Sequence, residues 1–306
     1  MMRSTPQVLL LFLDGVGIGS QNPKKNPFFA FRLTSLYSLL NGHIPHLRDA
    51  HYSSSKVSLV PLNVTLGVSG LPQSGTGQTS LLTGINASRL IGKHFGPYPF
   101  SALRPIIKEQ NIYRNLQSLR KTVFYANAFP RQFFEHITSK QNRMSAITMA
   151  WLMSGFELNH STTLAEGKAV SADITNERWN KLGYPDMPVI SPQTAGERLV
   201  RLAEQYDFVL FEYYVTDHAG HSQSMEEAYK VLTTFDEMLE GILSNLDRNS
   251  MLLIITSDHG NLEDLSTKSH TRNPVPLLVV GSKHKNITGK AKNLTHVAPA
   301  ILNVFQ

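Results

Sequence analysis

Apolar and polar positions fall into short continuous runs separated by amphipathic stretches. Residues 8–13 (VLLLFL) form an unbroken apolar run that stops at Asp14, the pattern of a strand buried on both faces. Similar runs at 122–125, 208–211, 252–256 and 276–280 predict further strands. Asn26-Pro27 opens a predicted helix that reaches Leu40 and is closed by Asn41-Gly42. A short helix over 78–83 ends at Gly84, and Ser191-Pro192, a cap followed by Pro, introduces a helix to about Gln205. A long helix spans 225–246, and a last one starts near Ala298. This alternation predicts an α/β fold, a doubly wound and mostly parallel sheet with helices on both faces. Residues 128–190 fit it poorly, so the expectation is a single domain over 1–306 with a small inserted cap at 128–190. Trp151, with Met149 and Met153, reads as core of that insertion.

Composition narrows the chemistry. The 306 residues include no cysteine, which removes disulfides, thiolate metal sites and cysteine nucleophiles together. A metal would have to be held by His, Asp, Glu or hydroxyl oxygen, and there are 12 His. The net charge of +6 is regional: residues 85–145 carry ten Lys or Arg against Glu109 and Glu135. Such a region suits a small anionic substrate approaching from solvent. No stacking-aromatic motif accompanies it, so nucleic acid is not expected as a partner. The apolar run at 8–13 is too short for a signal segment and far below the ~20 residues needed to span a bilayer. The expectation is a soluble, cytoplasmic protein without a membrane partner; the oligomeric state is not readable.

Four strand ends carry residues of metal-ligand type, where open parallel sheets bind ligands. Asp14 follows the first strand in Leu-Asp-Gly-Val-Gly. Ser74 and Thr76 sit between glycines before the 78–83 helix, whose positive end favours an anion. Thr216-Asp217-His218-Ala219-Gly220-His221 follows the 208–211 strand, and Ser257-Asp258-His259-Gly260-Asn261 follows 252–256. Ser269-His270-Thr271-Arg272-Asn273-Pro274 precedes the next strand. Each piece alone also reads as a turn or cap; their common placement is what carries weight. Lys93, His94 and the remaining histidines read as exposed or structural.

In this order the motifs resemble the alkaline phosphatase superfamily of two-metal enzymes. They are closest in wording to the cofactor-independent phosphoglycerate mutase and phosphopentomutase branch. The resemblance covers about 1–90 and 191–306 and rests on Leu-Asp-Gly-Val-Gly, Asp-x-x-Gly-His at 217–221, Asp-His-Gly-Asn at 258–261 and His-Thr-x-Asn-Pro-Val-Pro at 270–276. It implies one divalent cation, Mn²⁺ or Zn²⁺, on Asp217, His221 and His270. A second would lie on Asp14, Asp258 and His259, with the Ser74 hydroxyl. It implies Ser74 as nucleophile, with Thr76 as runner-up, and a phosphoseryl intermediate. Two departures stand out: Gln78 where the mutases usually have His, and Gly75 where an acidic residue usually follows the serine. The expected activity is a two-metal phosphohydrolase acting on a phosphate monoester or diester. A phosphomutase or phosphotransferase with a reduced cap is the alternative, and a metal-binding protein without turnover the second alternative.

Overall fold

The computed structural model describes residues 6–139 and 143–306; Lys140, one of the ten basic residues counted above, lies outside them. Nine strands are present among the described residues: β1 Gln7–Leu13, β2 Tyr52–Ser53, β3 Val57–Leu62, β4 Val123–Tyr125, β5 Asn127–Ala128, β6 Val170–Ser171, β7 Phe208–Tyr213, β8 Met251–Thr256 and β9 Val275–Val280. Seven form one sheet in the order β2-β3-β9-β8-β1-β7-β4, and β5 pairs with β6 alone. Strands β8, β1, β7 and β4 are mutually parallel. β9 runs antiparallel to both β8 and β3, and β2 antiparallel to β3, so five of the seven strands share one direction. The sheet is mostly parallel with helices on both faces, as its pattern predicts.

β1 sits at the centre, and its alternation splits the core. Leu9, Leu11 and Leu13 pack under the helices Pro192–Gln205 and Met225–Asn245. Val8, Leu10 and Phe12 face the helix Ser74–Thr83 and its neighbours. All are essentially inaccessible, which explains an unbroken apolar run where a half-buried strand would alternate.

Three features depart from the sequence reading. Residues 26–40 form two short helices, Pro27–Ala30 and Thr34–Leu39. The second starts afresh because the Asp236 carboxylate accepts the Ser35 and Leu36 amides, both at 2.9 Å, a cap supplied from a distant helix. β3 escapes the pattern because Pro61 interrupts it; Pro61 lies beyond the end of β2, at an edge where a missing N–H costs nothing. Finally, the helix Ala146–Met153 in the expected cap is core of the main sheet. Its Trp151 is 4% exposed and packs edge-on against Tyr113, within the same cluster as Phe12 and Phe208. A run as apolar as Ala-Ile-Thr-Met-Ala-Trp-Leu-Met needs burial on more than one side, and the sheet face provides it. A smaller cluster of Ala128, Leu164, Ala169, Trp179 and Met187 holds the remainder of 128–190 together.

The connection from β8 to β9 positions the chemistry. An antiparallel pair needs no crossover, so residues 257–274 leave and re-enter the sheet at the same end. β1 and β7, parallel to β8, end there too.

Candidate metal centre

Asp14 leaves the end of β1, and the turn behind it tolerates no side chain. Gly15 has φ +70°, and a Cβ there would stand 2.5 Å from Oδ1 of Asp217. Two hydroxyls fasten the neighbouring strand ends. Thr216 Oγ1 donates to the Asp14 carbonyl at 2.6 Å, and Ser257 Oγ accepts the Val16 amide at 2.9 Å. Asp217 and His221 lie on one face of the helix Val215–Ser222, as i and i+4, with His221 Nε2 3.2 Å from Asp217 Oδ2. His270 reaches the same place from the β8–β9 connection, its Nε2 3.7 Å from Asp217 Oδ1. Both rings are oriented from behind: Nδ1 of His221 donates to the Lys268 carbonyl at 2.8 Å, and Nδ1 of His270 donates to the Pro72 carbonyl at 2.7 Å. A second shared point lies beside it, where one atom each of Asp14, Asp217 and His259 fall within 4.8 Å of one another. Asp258 Oδ2 is 3.7 Å from Nε2 of His259.

Ser74 is the first residue of the helix Ser74–Thr83, and its Oγ is 2.9 Å from Nε2 of His259. That nitrogen is also 3.3 Å from Oδ1 of Asp14. Thr76 is placed differently. Its hydroxyl donates to the Gln73 carbonyl and accepts the Phe95 amide, so it braces the loop over the helix start. Gly75 is required by the same loop: a Cβ there would lie 2.3 Å from the Tyr98 carbonyl oxygen, so the acidic side chain usual at this position in the mutases has no room. Gln78 is buried and accepts the Ala146 amide at 3.1 Å, starting the next helix. Lys93 lies over the Phe95 and Phe100 rings, and His94 pairs with Ser88 and the Val68 carbonyl.

The electrostatics are those of a site built around positive charge. Asp14, Asp217 and Asp258 converge in a buried space with few donors. Both Asp258 carboxylate oxygens and Oδ1 of Asp14 are buried without a hydrogen-bond partner. A buried carboxylate in that state is costly unless a cation neutralises it. Burial, reinforced by Asp14 and Asp217, pushes the Asp258 carboxyl far above its usual range. Burial opposes charge on His259, but Asp258 and Asp14 outweigh it and raise that imidazole to about 10. His270 is lowered to about 4 by burial and by the charge on His259. An all-oxygen and nitrogen donor set of this kind fits a hard or borderline divalent cation.

Three residues beyond the expected ligands belong to the scaffold. Asn261 Nδ2 donates to Asp217 Oδ1 at 2.7 Å. Glu263 is fully buried and accepts the amides of Gly17 and Asn261 on Oε2, and the Thr271 hydroxyl and Asn273 amide on Oε1. Glu212, on β7, is buried against Tyr125 and Ser145 close to Asp14. The Asn261 signal stood in the Asp-His-Gly-Asn motif; nothing in the sequence distinguished Glu263 or Glu212 from surface acids.

Strand ends that deliver carboxylates, imidazoles and a serine hydroxyl to one point on an open α/β sheet define an alkaline-phosphatase-like metalloenzyme. The chain belongs to the Metalloenzyme superfamily, whose sequence model matches residues 6–306. Among sequence relatives, the 2,3-bisphosphoglycerate-independent phosphoglycerate mutase of Ehrlichia ruminantium (strain Gardel) is 32% identical over 131 residues. That of Synechocystis sp. is 30% identical over 139 residues. Each match covers 40% of this chain and 26% of the relative, so the chain aligns with about a quarter of these proteins' length. Similar solved structures include the PH0037 protein from Pyrococcus horikoshii, with TM-score 0.60 at 14% identity over 99% of this chain and 98% of that one. The alkaline phosphatase of the Antarctic bacterium TAB5 gives 0.54 at 13% over 99% of each. Leishmania mexicana phosphoglycerate mutase gives 0.52 at 11% over 99% and 96%. At these identities they share the fold. No helix among the described residues is long and apolar enough to cross a membrane.

Proposed function

We propose that the protein is a two-metal phosphohydrolase that attacks a small anionic phosphate ester with Ser74. The observation that carries this reading is Ser74 Oγ at 2.9 Å from His259 Nε2, beside Oδ1 of Asp14 and both carboxylate oxygens of Asp258, which are buried without a hydrogen-bond partner. Asp217, His221 and His270 would hold one divalent cation, Mn²⁺ or Zn²⁺; Asp14, Asp258, His259 and Ser74 would hold the other. When bound, such cations lower the pKa of a serine hydroxyl and stabilise charge on phosphoryl oxygens.

The residues do the rest. The helix start, where Ser74 is the first residue, fixes the direction of its Oγ. The Oγ–P bond forms as the ester P–O bond breaks, and the leaving alcohol takes a proton. Water then attacks the phosphoseryl group, releasing inorganic phosphate and restoring the hydroxyl. The basic region at 85–145 follows the nucleophile helix and favours the approach of anions.

A phosphomutase or phosphotransferase is the second reading, favoured by the names of the sequence relatives. The two differ only in the acceptor of the phosphoseryl group. A mutase must keep water out, and the Ala146–Met153 helix, being core, leaves little of 128–190 to enclose the site. A panel of phosphate monoesters and diesters, assayed with Mn²⁺ and with Zn²⁺, tests both. Phosphate release supports hydrolysis; transfer without release replaces it with the mutase; neither, in a protein that binds metal, leaves a metal-binding protein without turnover. We also propose a cytoplasmic location.

A further inference from the structure

A cavity opens beside the loop that follows β1, where Leu13, Val16, Gly17 and Thr216, the chain neighbours of Asp14 and Asp217, form one of its walls. It measures about 410 Å³ and is roofed by the segment 27–45 over Leu59, Leu232, Phe235 and Leu278. Protein interiors tolerate few voids larger than a water, and an apolar cavity of ~150 Å³ already admits benzene. A space nearly three times that size, lined by aromatic and aliphatic side chains, matches the ~300–1,000 Å³ of small-molecule sites. The roof is held in place, since the Asp236 carboxylate caps the Thr34–Leu39 helix from the floor side.

Its polar groups are few, and the side chains of Asn26 and Thr216 are engaged within the protein, which leaves Tyr37, Arg32 and His43. Arg32 lines the cavity and is exposed, with its guanidinium 5.2 Å from the Tyr37 ring centroid. Among the described residues no carboxylate pairs with it. His43 also lines the cavity, and its Nε2 is buried without a hydrogen-bond partner. An apolar interior with an unneutralised cation at its rim fits one ligand chemistry: an aliphatic chain ending in a carboxylate. We propose that this cavity is a binding site for a medium-chain aliphatic carboxylate, with the chain among Leu36, Leu59 and Leu278 and the head group on Arg32. The phosphoryl-transfer reading neither requires this site nor depends on it.

The test is calorimetric titration of the full chain with decanoate and octanoate. Decanoate binds, and the two added methylenes tighten binding by about tenfold over octanoate. Arg32→Ala weakens decanoate by about tenfold and leaves decan-1-ol unchanged. Leu36→Trp, which fills the cavity, removes both, with Leu36→Phe as a milder variant should the first fail to melt cooperatively. No heat with decanoate at millimolar concentration overturns the proposal. So does binding undiminished by filling the cavity, or unchanged by Arg32→Ala. Self-association that decanoate does not disrupt would assign the cavity to a second copy of the chain, and would also overturn it.

Discussion

The Nε2 atoms of His221 and His270 face each other at 3.2 Å, while each ring's Nδ1 is tied to a backbone carbonyl. Carbonyls only accept, so both Nδ1 atoms carry a proton, and in the neutral rings both Nε2 atoms present lone pairs. Two lone pairs at that distance repel unless a cation lies between them and the Asp217 carboxylate. Added Mn²⁺ or Zn²⁺ is therefore expected to raise the melting temperature, and chelation to lower it. At one hundred times the dissociation constant the gain is about 2.7 kcal/mol. In the double variant His221→Ala/His270→Ala most of that gain disappears. An unchanged melting curve for the wild type with and without chelator would remove this cation site.

Ser74→Ala is expected to cost about 10³-fold or more in turnover, because removing a nucleophile removes the covalent route. The Asp217, His221 and His270 cluster does not include Ser74, so metal content should fall by no more than one ion per chain. Turnover and bound metal are measured on the same preparation. Thr76→Ser, which keeps the brace to Gln73 and Phe95, should leave the rate within a few-fold. If it is Thr76→Ser that abolishes turnover while Ser74→Ala does not, the nucleophile has been assigned to the wrong hydroxyl.

Legibility followed the physics of each element. β1, β7 and β8 were readable because strands buried on both faces are written as continuous apolar runs, and their ends carry Asp14, Asp217 and Asp258. The convergence of those ends was implied by a parallel sheet. The break between Pro27–Ala30 and Thr34–Leu39 was not readable, since its cap comes from Asp236, some two hundred residues along the chain. Residues 146–153 were misplaced for a related reason: an apolar helix has the same pattern in a cap as in the main core. Glu263 was invisible because its role lies in four hydrogen bonds that tie the loop after β1 to both ends of the β8–β9 connection.

Glu263→Gln should reveal that role. A single carboxylate oxygen accepts the Gly17 and Asn261 amides, and the other faces Thr271 and Asn273. Gln puts an NH₂ against donors on one side, leaving buried groups unpaired at about 1–3 kcal/mol each. The variant is expected to melt several degrees lower and to bind metal more weakly, because the loop after Asp14 and the β8–β9 connection that carries Asp258 and His270 lose their common anchor. Denaturant melts with metal titrations check both; a stability within experimental error of the wild type refutes the anchoring role.

Asp258→Asn separates stability from function. With no hydrogen-bond donor to either oxygen and with Asp14 and Asp217 nearby, burial of the Asp258 charge outweighs its attraction to His259 and opposes folding in the chelated protein. The neutral amide should raise the melting temperature of the chelated form at pH 8, while turnover is lost and the metal-induced gain shrinks. Circular dichroism and melting with and without chelator read all three. Full activity in this variant would take Asp258 out of the site.

Glu212 makes a prediction about pH. Burial raises its carboxyl from 4.5 to about 7, with the Asp14 charge adding and the bonds from Tyr125 and Ser145 opposing. The folded state thus holds a proton that the unfolded chain has released. Its stabilising contribution is complete below about pH 4.5 and is lost as the pH rises through about 7. Over that window the chelated protein should lose on the order of 3 kcal/mol from this group, about 1.4 kcal/mol per pKa unit. Glu212→Gln keeps a carbonyl acceptor for Tyr125 and has no proton to lose. Denaturant melts of the chelated wild type and variant are compared from pH 5 to 7.5, so that titrating histidines common to both cancel in the difference. Wild type should lose stability relative to the variant as the pH rises. Parallel curves would mean that Glu212 is ionised throughout, with its charge neutralised within the fold.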